Sequence, residues 1–253
     1  MIELGISYRL ATASTVTNVT FLLFLGLILM LMKDSLQDAA AWFRLLDREQ
    51  QERVQRDIST THYPAGAMIE RKGEQAHAWL GVISGLIKVS VGNSDGKVAS
   101  LMGVPAGGWL GEGSLLKNEA RKYDVVALRN TTIARLPDQT FNWLLDRSIP
   151  FNRYLLHQLN ERVGQFVGKA ESDRLLAPDA RVARCLAELF NPLLYPSRNM
   201  RLDITQEEVG YLARISRQRA NQALSKLESA RLLKVEYGAL QVLDLEGLKR
   251  YGM

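Results

Sequence analysis

The period of the apolar positions changes several times along the chain. Between Asp34 and Asp57, Leu36, Ala40, Phe43, Leu46 and Val54 recur at three- or four-residue multiples, which predicts an amphipathic helix. From His62 to about Pro137 that period is lost. Short apolar runs rich in β-branched residues alternate with glycine: AGAMIERKG, WLGVISGLIKVSVGNSDGKVASLMGV, GGW and YDVVALRNTTIARL. NSDGK at 93–97 reads as a hairpin turn built on Asp95-Gly96. Strand after strand with such punctuation predicts an antiparallel sandwich or barrel.

A helical period returns after LPDQT. Ile149, Asn152, Leu156, Leu159, Val163, Phe166 and Ala170 step by 3, 4, 3, 4, 3, 4, a heptad seam with one polar Asn to fix register. Such a seam predicts self-association; the alternative is a helix packed on its own domain. Pro178 in LLAPDAR breaks the helix, and Asp179 is placed to cap the next one, which runs to Phe190. NPLLYPSRN, with two prolines, is an irregular connection.

Residues 205–228, TQEEVGYLARISRQRANQALSKLE, predict two helices joined by a tight turn. Thr205 and Glu208 form a capping box, the turn lies at Arg214-Ile215, and Ser216 caps the second helix. On that helix Ala220, Ala223, Leu224 and Leu227 make the inward stripe. Arg217, Gln218, Asn221, Gln222 and Ser225 share the outward face. Arginine can grip a guanine edge by two bonds, and glutamine or asparagine an adenine edge. The face is therefore suited to reading a major groove, with Thr205, Gln206 and Ser216 beside it and Arg219 and Lys226 in reach of phosphates. LLKVEYGALQVLDL, hinged near Gly238, is the wing expected behind such a pair. The competing reading is a solvated polar helix face beside a small hairpin.

Charge supports the groove. The net charge of the 253-residue chain is +5, and residues 198–234, with eight Lys/Arg against four acids, hold +4 of it. At 108–125, GWLGEGSLLKNEARKYDV sets three glycines around Glu112, ahead of the basic pair Arg121-Lys122, a loop able to receive an anion. One cysteine, Cys185, excludes an internal disulfide and an iron–sulfur cluster; it lies on an apolar stripe with Leu186 and Leu189, a core position. Haem could use only the isolated His62, His77 or His157. No G-x-S-x-G, H-E-x-x-H or Cys/His cluster is present, so no enzyme is expected and no metal site is assigned. Val16–Met32 is strongly apolar but short for a bilayer span and lacks a signal-peptidase site. It is an upstream start codon, with the real chain beginning at Met30 or Met32, a membrane tether or a structured helix; a cytoplasmic protein is expected after it.

Taken in order, these parts resemble the Crp/Fnr family of bacterial transcription regulators from about Leu36 to Leu248. The residues that carry the likeness are Gly66, Gly73, Gly85, Gly96, Gly111-Glu112 and ITQEEVGYLARISRQRANQALSKLE. After the apolar leader at 1–32, which the likeness does not cover, the resemblance implies an α+β chain: a cyclic-nucleotide-binding-like jelly roll at 33–148, a dimerisation helix at 149–176 and a winged helix-turn-helix at 177–253. It implies a homodimer on palindromic double-stranded DNA, RNA polymerase as a partner and a small-molecule effector. The family's base-contacting positions fall on Arg217, Gln218 and Gln222, where cAMP-binding members carry Arg, Glu and Arg, so a different operator is expected. Many members place glycine at Arg214. The family's nucleotide cassette maps to Gly111 and Glu112, then Lys122-Tyr123 beside Arg121, and Phe166-Val167 on the long helix. Phenylalanine and valine cannot bond a purine, so cAMP is disfavoured as effector. The alternative function is a cyclic-nucleotide signalling module with no DNA role.

Overall fold

The computed structural model describes residues 40–92, 95, 98–196 and 199–252. The apolar leader and the start of the first predicted helix lie outside the described residues, as does most of the NSDGK turn. No helix among the described residues is long and apolar enough to cross a membrane.

The helix predicted up to Asp57 is two pieces, a 3-10 stretch Ala41–Leu45 and α1 (Arg48–Asp57). The restart is at Asp47. Its carboxylate accepts the Gln50 N–H at 2.9 Å while Gln50 Oε1 accepts the Asp47 N–H at 3.3 Å, a capping box that opens a new helix. The break lets Trp42 turn inward, where its ring lies 5.2 Å from Trp79 and 5.1 Å from Trp109. Phe151 completes the cluster at 5.5 Å from Trp42.

Two four-stranded antiparallel sheets follow. One has the order β1 (Ser59–Tyr63), β8 (Thr131–Pro137), β3 (Ala78–Ser84), β6 (Trp109–Leu110). The other has β2 (Met68–Glu70), β7 (Asp124–Ala127), β4 (Leu86–Gly92), β5 (Val98–Pro105). Apart from the β4–β5 hairpin, where Gly92 faces Val98, each strand pairs with one distant in sequence, the crossing pattern of a jelly roll. The core positions Leu80, Val82, Ile87, Val89, Val104 and Ile133 are wholly buried; β3 is buried along most of its length, whereas β1 is exposed from Ser59 to His62.

Short helix α2 (Glu112–Leu116) interrupts the strands, and α3 (Asp138–Arg147) leads into the 27-residue α4 (Ile149–Leu175). Ser148 separates them by accepting the Phe151 N–H at 3.4 Å. On α4 the buried positions are Phe151, Leu155, Gln158, Arg162 and Ser172. The next helix, α5 (Pro178–Glu188), starts on the proline itself, so the assignment of Asp179 as cap is corrected: it lies in the first turn, and its carboxylate accepts from Lys226 Nζ at 3.1 Å. That bond draws the Asp179 carboxyl below its usual range.

Two side chains of the irregular segment NPLLYPSRN turn inward, while Pro192 and Leu193 stay exposed. Leu194 and Tyr195 are 1% exposed and join the core of the jelly roll. Tyr195 Oη accepts from Arg162 Nη1 at 2.7 Å and donates to the Gly103 carbonyl at 3.3 Å. Beyond it come β9 (Arg201–Leu202), α6 (Gln206–Ala213), α7 (Arg217–Ser229), the hairpin β10 (Leu233–Glu236) and β11 (Ala239–Val242), and α8 (Leu245–Arg250). The sheet order is β10-β11-β9. Cys185 is buried among this region's apolar side chains, as expected, and burial pushes its thiol up to about 12.

Candidate nucleic-acid interface and effector cassette

The helix pair is shaped by three local devices. The Thr205 N–H donates to Glu208 Oε2 at 2.5 Å and Thr205 Oγ1 accepts the Glu208 N–H at 3.3 Å, which opens α6. Gly210 lets the chain fold back closely, since a Cβ there would sit 3.0 Å from the Ile215 carbonyl. Arg214 ends α6 at φ 56, ψ 44, the left-handed conformation glycine adopts readily. Ser216 Oγ then accepts the Arg219 N–H at 3.3 Å and α7 begins.

Ala220, Ala223, Leu224 and Leu227 are at most 3% exposed, and their burial fixes which face of α7 looks outward. Arg217, Gln218, Arg219, Asn221, Gln222 and Ser225 are all exposed. Thr205, Gln206 and Arg217 line one groove with Glu236 and Tyr237 of the hairpin tip. Tyr237, fully exposed beside Gly238 at φ 68, was missed in the sequence; its signal was an aromatic next to the hinge glycine. Lys226 is bonded to Asp179 rather than lying free for a phosphate, although its side chain remains largely exposed.

The seam lies open on the single chain. Ile149, Leu156, Val163 and Phe166 are 69, 66, 60 and 42% exposed, Ala170 is exposed, and Leu159 is half-buried. Asn152 also has partners within its own chain. Its Nδ2 donates to the Leu145 and Ser148 carbonyls at 2.6 and 3.1 Å, so within the chain it closes the α3–α4 corner.

Several side chains tie the helix pair to the rest of the molecule. Arg214 Nε donates to the Ser100 carbonyl of β5 at 2.9 Å and its Nη1 meets Asp173 of α4 at 2.8 Å. Arg181 Nη2 donates to the Ala213 carbonyl at 2.9 Å, and Lys169 Nζ to the Leu212 carbonyl at 3.1 Å. Arg129, just after β7, meets Glu208 at 2.8 Å. The last carbonyls of α6 thus receive cations, which suits the negative end of a helix.

In the cassette the structure revises several assignments. Gly111 stands at φ 96 before α2, and a Cβ on it would collide with Arg121 Nη1. The cation at the turn is therefore Arg121, which is 2% exposed, and not Lys122. Lys122 points to solvent and meets Glu119 at 3.2 Å, because adjacent residues of an extended segment face opposite ways. Arg121 Nε donates to Glu70 Oε2 at 3.1 Å and Nη2 to the Ala78 carbonyl at 2.7 Å; Nη1 is buried with no partner among the described residues. Glu70 also receives Arg135 at 2.6 Å. Glu112, 6% exposed, accepts from Trp79 Nε1 at 3.3 Å. Tyr123 is partly buried beside the core, and burial, aided by the Glu112 charge, pushes its phenol up to about 12. Phe166 and Val167 are exposed on the open side of α4. What α4 turns inward is Gln158, which donates to the Trp109 carbonyl at 2.8 Å, and Arg162. Around the cassette three arginines, Arg121, Arg135 and Arg162, stand against two carboxylates, Glu70 and Glu112.

Among the described residues no group of three His, Cys, Asp or Glu side chains could hold a metal ion. His62, His77 and His157 are each exposed, and His62 Nδ1 lies 2.8 Å from Thr132 Oγ1.

Residues 60–148 match the profile of the cyclic nucleotide-binding domain, and residues 180–251 that of the Crp-like helix-turn-helix domain. The cAMP-activated global transcriptional regulator CRP of Haemophilus influenzae is 26% identical over 187 residues, 70% of this chain and 83% of that protein. Among solved structures, FixK2 from Bradyrhizobium japonicum has a TM-score of 0.65 at 14% identity, covering 78% of this chain and 98% of its own. The c-di-GMP responsive global regulator CLP of Xanthomonas campestris has a TM-score of 0.55 at 23% identity, covering 78% and 99%. These two likenesses show the fold, a jelly roll joined through a long helix to a winged helix-turn-helix.

Proposed function

From the chain's membership of the Crp/Fnr family of DNA-binding transcription regulators, we propose that it acts as a homodimer on a two-fold inverted repeat whose bases are read by Arg217, Gln218 and Gln222. The observation that carries this reading is the outward face of α7, polar and bidentate in its chemistry, held outward by the buried Ala220, Ala223, Leu224 and Leu227. Two such helices enter successive major grooves about 34 Å apart when the protein is dimeric. The open strip Ile149, Leu156, Val163 and Phe166 on α4 supports pairing along that helix, since a contiguous apolar strip exposed on one chain is what a partner helix covers.

We assign the effector of the jelly roll to a class other than cAMP. Arg121 is engaged by Glu70, Glu112 by Trp79, and Phe166 and Val167 offer no polar atom to a purine. An effector acts by favouring one arrangement of α4 and the helix pair over another.

The test is selection of bound sequences from a random duplex library, followed by fluorescence anisotropy at several salt concentrations and sedimentation of the free protein. The expected result is an inverted repeat, a negative salt slope and a dimer. Selection of an asymmetric site by a monomer would overturn the dimer reading.

A further inference from the structure

A cavity of about 750 Å³ lies between the jelly roll and the winged helix-turn-helix, within the roughly 300–1,000 Å³ that small-molecule sites occupy. One wall is the β3–β4 turn at Ser84-Gly85 and the β7–β8 turn at Leu128–Asn130. The other carries Phe190, Leu202 and the capping pair Thr205 and Glu208. Neither Gly111, Glu112 nor Arg121 lines it, so it is separate from the cassette.

Two neighbouring residues on the first wall hold donors in reserve. Arg129 gives Nη2 to Glu208 and to the Gly238 carbonyl, while its buried Nε–H has no partner among the described residues. Asn130, an exposed side chain, uses Oδ1 to accept the Ala65 N–H at 3.1 Å, which leaves its amide hydrogens open to solvent or a ligand. A guanidinium presents Nε–H and one Nη–H along a single edge, the arrangement that receives a carboxylate through two bonds. Glu208 uses only one of them. The wall charges balance, Arg129 and Arg201 against Asp203 and Glu208, so a single negative charge is the most the site neutralises once Glu208 is displaced.

We propose that this cavity is an effector site for a small monocarboxylate with an apolar body, its carboxylate on Arg129 and Asn130 and its body against Leu128, Phe190 and Leu202. The bound carboxylate displaces Glu208 from Arg129. Glu208 also caps α6, and Arg129 also holds the hairpin tip through Gly238, so occupancy loosens the helix-turn-helix from the jelly roll at both points. The consequence for DNA rests on the regulator reading above; the binding itself does not.

The experiment is isothermal titration of the full chain with benzoate, phenylacetate and hexanoate into the low millimolar range, with anisotropy on the selected operator in parallel. Arg129→Gln removes the guanidinium edge, Ala106→Phe fills the cavity from its lining, and Lys122→Gln is the control outside it. At least one acid is expected to bind saturably, about tenfold or more weakly to Arg129→Gln and to Ala106→Phe, and unchanged to Lys122→Gln. No binding by any of the three acids, binding by both cavity variants as tight as by the unsubstituted chain, or displacement by cAMP overturns the proposal. Saturable binding with no operator binding by the free protein would instead sink the DNA reading and leave the site standing.

Discussion

Arg214 sets two effects of similar size against each other, and two substitutions separate them. At φ 56 a residue with a Cβ is held in the left-handed region, about 1–2 kcal/mol above the helical one, and glycine is nearly free of that strain. Against it stand two contacts of the side chain. The ion pair with Asp173 joins groups 36% and 23% exposed, so after solvent screening it contributes about 0–1 kcal/mol. The bond to the Ser100 carbonyl has a charged donor but is only partly buried, so about 1 kcal/mol is the measure for it. Arg214→Ala loses both contacts and keeps the strain, a loss of about 1–2 kcal/mol. Arg214→Gly loses the same contacts and relieves the strain, so it should unfold near the wild-type midpoint, about 1 kcal/mol above the alanine variant. Urea denaturation followed by circular dichroism gives the stabilities, and hydrogen exchange across β5 reads the contact with the jelly roll. Both variants should lose protection at β5 even though only alanine loses stability. If glycine is no more stable than alanine the turn is unstrained. If protection at β5 is unchanged in both, Arg214 does not join the domains.

Three further outcomes follow from the same geometry. Arg217→Ala should weaken operator binding by about 1–3 kcal/mol and relax preference at one base pair of each half-site; equal weakening on every sequence, by anisotropy, would make Arg217 a phosphate contact instead. Leu156→Asp with Val163→Asp places charge on the open strip without touching the buried face of α4, and should give monomers in sedimentation; persisting dimers would move the interface elsewhere. Burial pushes the Glu188 carboxyl up to about 7, against the opposing pull of Lys169 and Arg184 and with the aid of Asp173. The folded state then holds a proton that the unfolded state releases near pH 4.5, so stability from this group falls as pH rises from 4.5 to 7. Glu188→Gln should flatten that part of the midpoint-versus-pH curve, and an unchanged slope would mean that Glu188 titrates normally.

Local patterning determined a good deal by itself. Short apolar runs rich in β-branched residues, punctuated by glycine, were enough for the strands, because such runs are strand-length and glycine lets the chain turn between them. The Thr205–Glu208 box, the Ser216 cap and the stripe through Ala220 and Leu227 were enough for the helix pair, because capping and 3.6-residue periodicity are set within a few residues. What only the tertiary structure decided depends on partners far away in sequence. Lys122 and Arg121 differ by one place, and which of them faces Gly111 follows from the pairing of Arg121 with the segment at Gly73-Glu74. NPLLYPSRN has the composition of a loop, yet Tyr195 enters the jelly-roll core because Arg162 and the Gly103 carbonyl await its hydroxyl. Asn152 sits in a heptad position but bonds the corner carbonyls before it. Arg214 occupies a turn position suited to glycine, and its contact with Ser100 spans 114 residues of chain. Side-chain bonds of that reach leave no periodic trace, and folding alone brings their ends together.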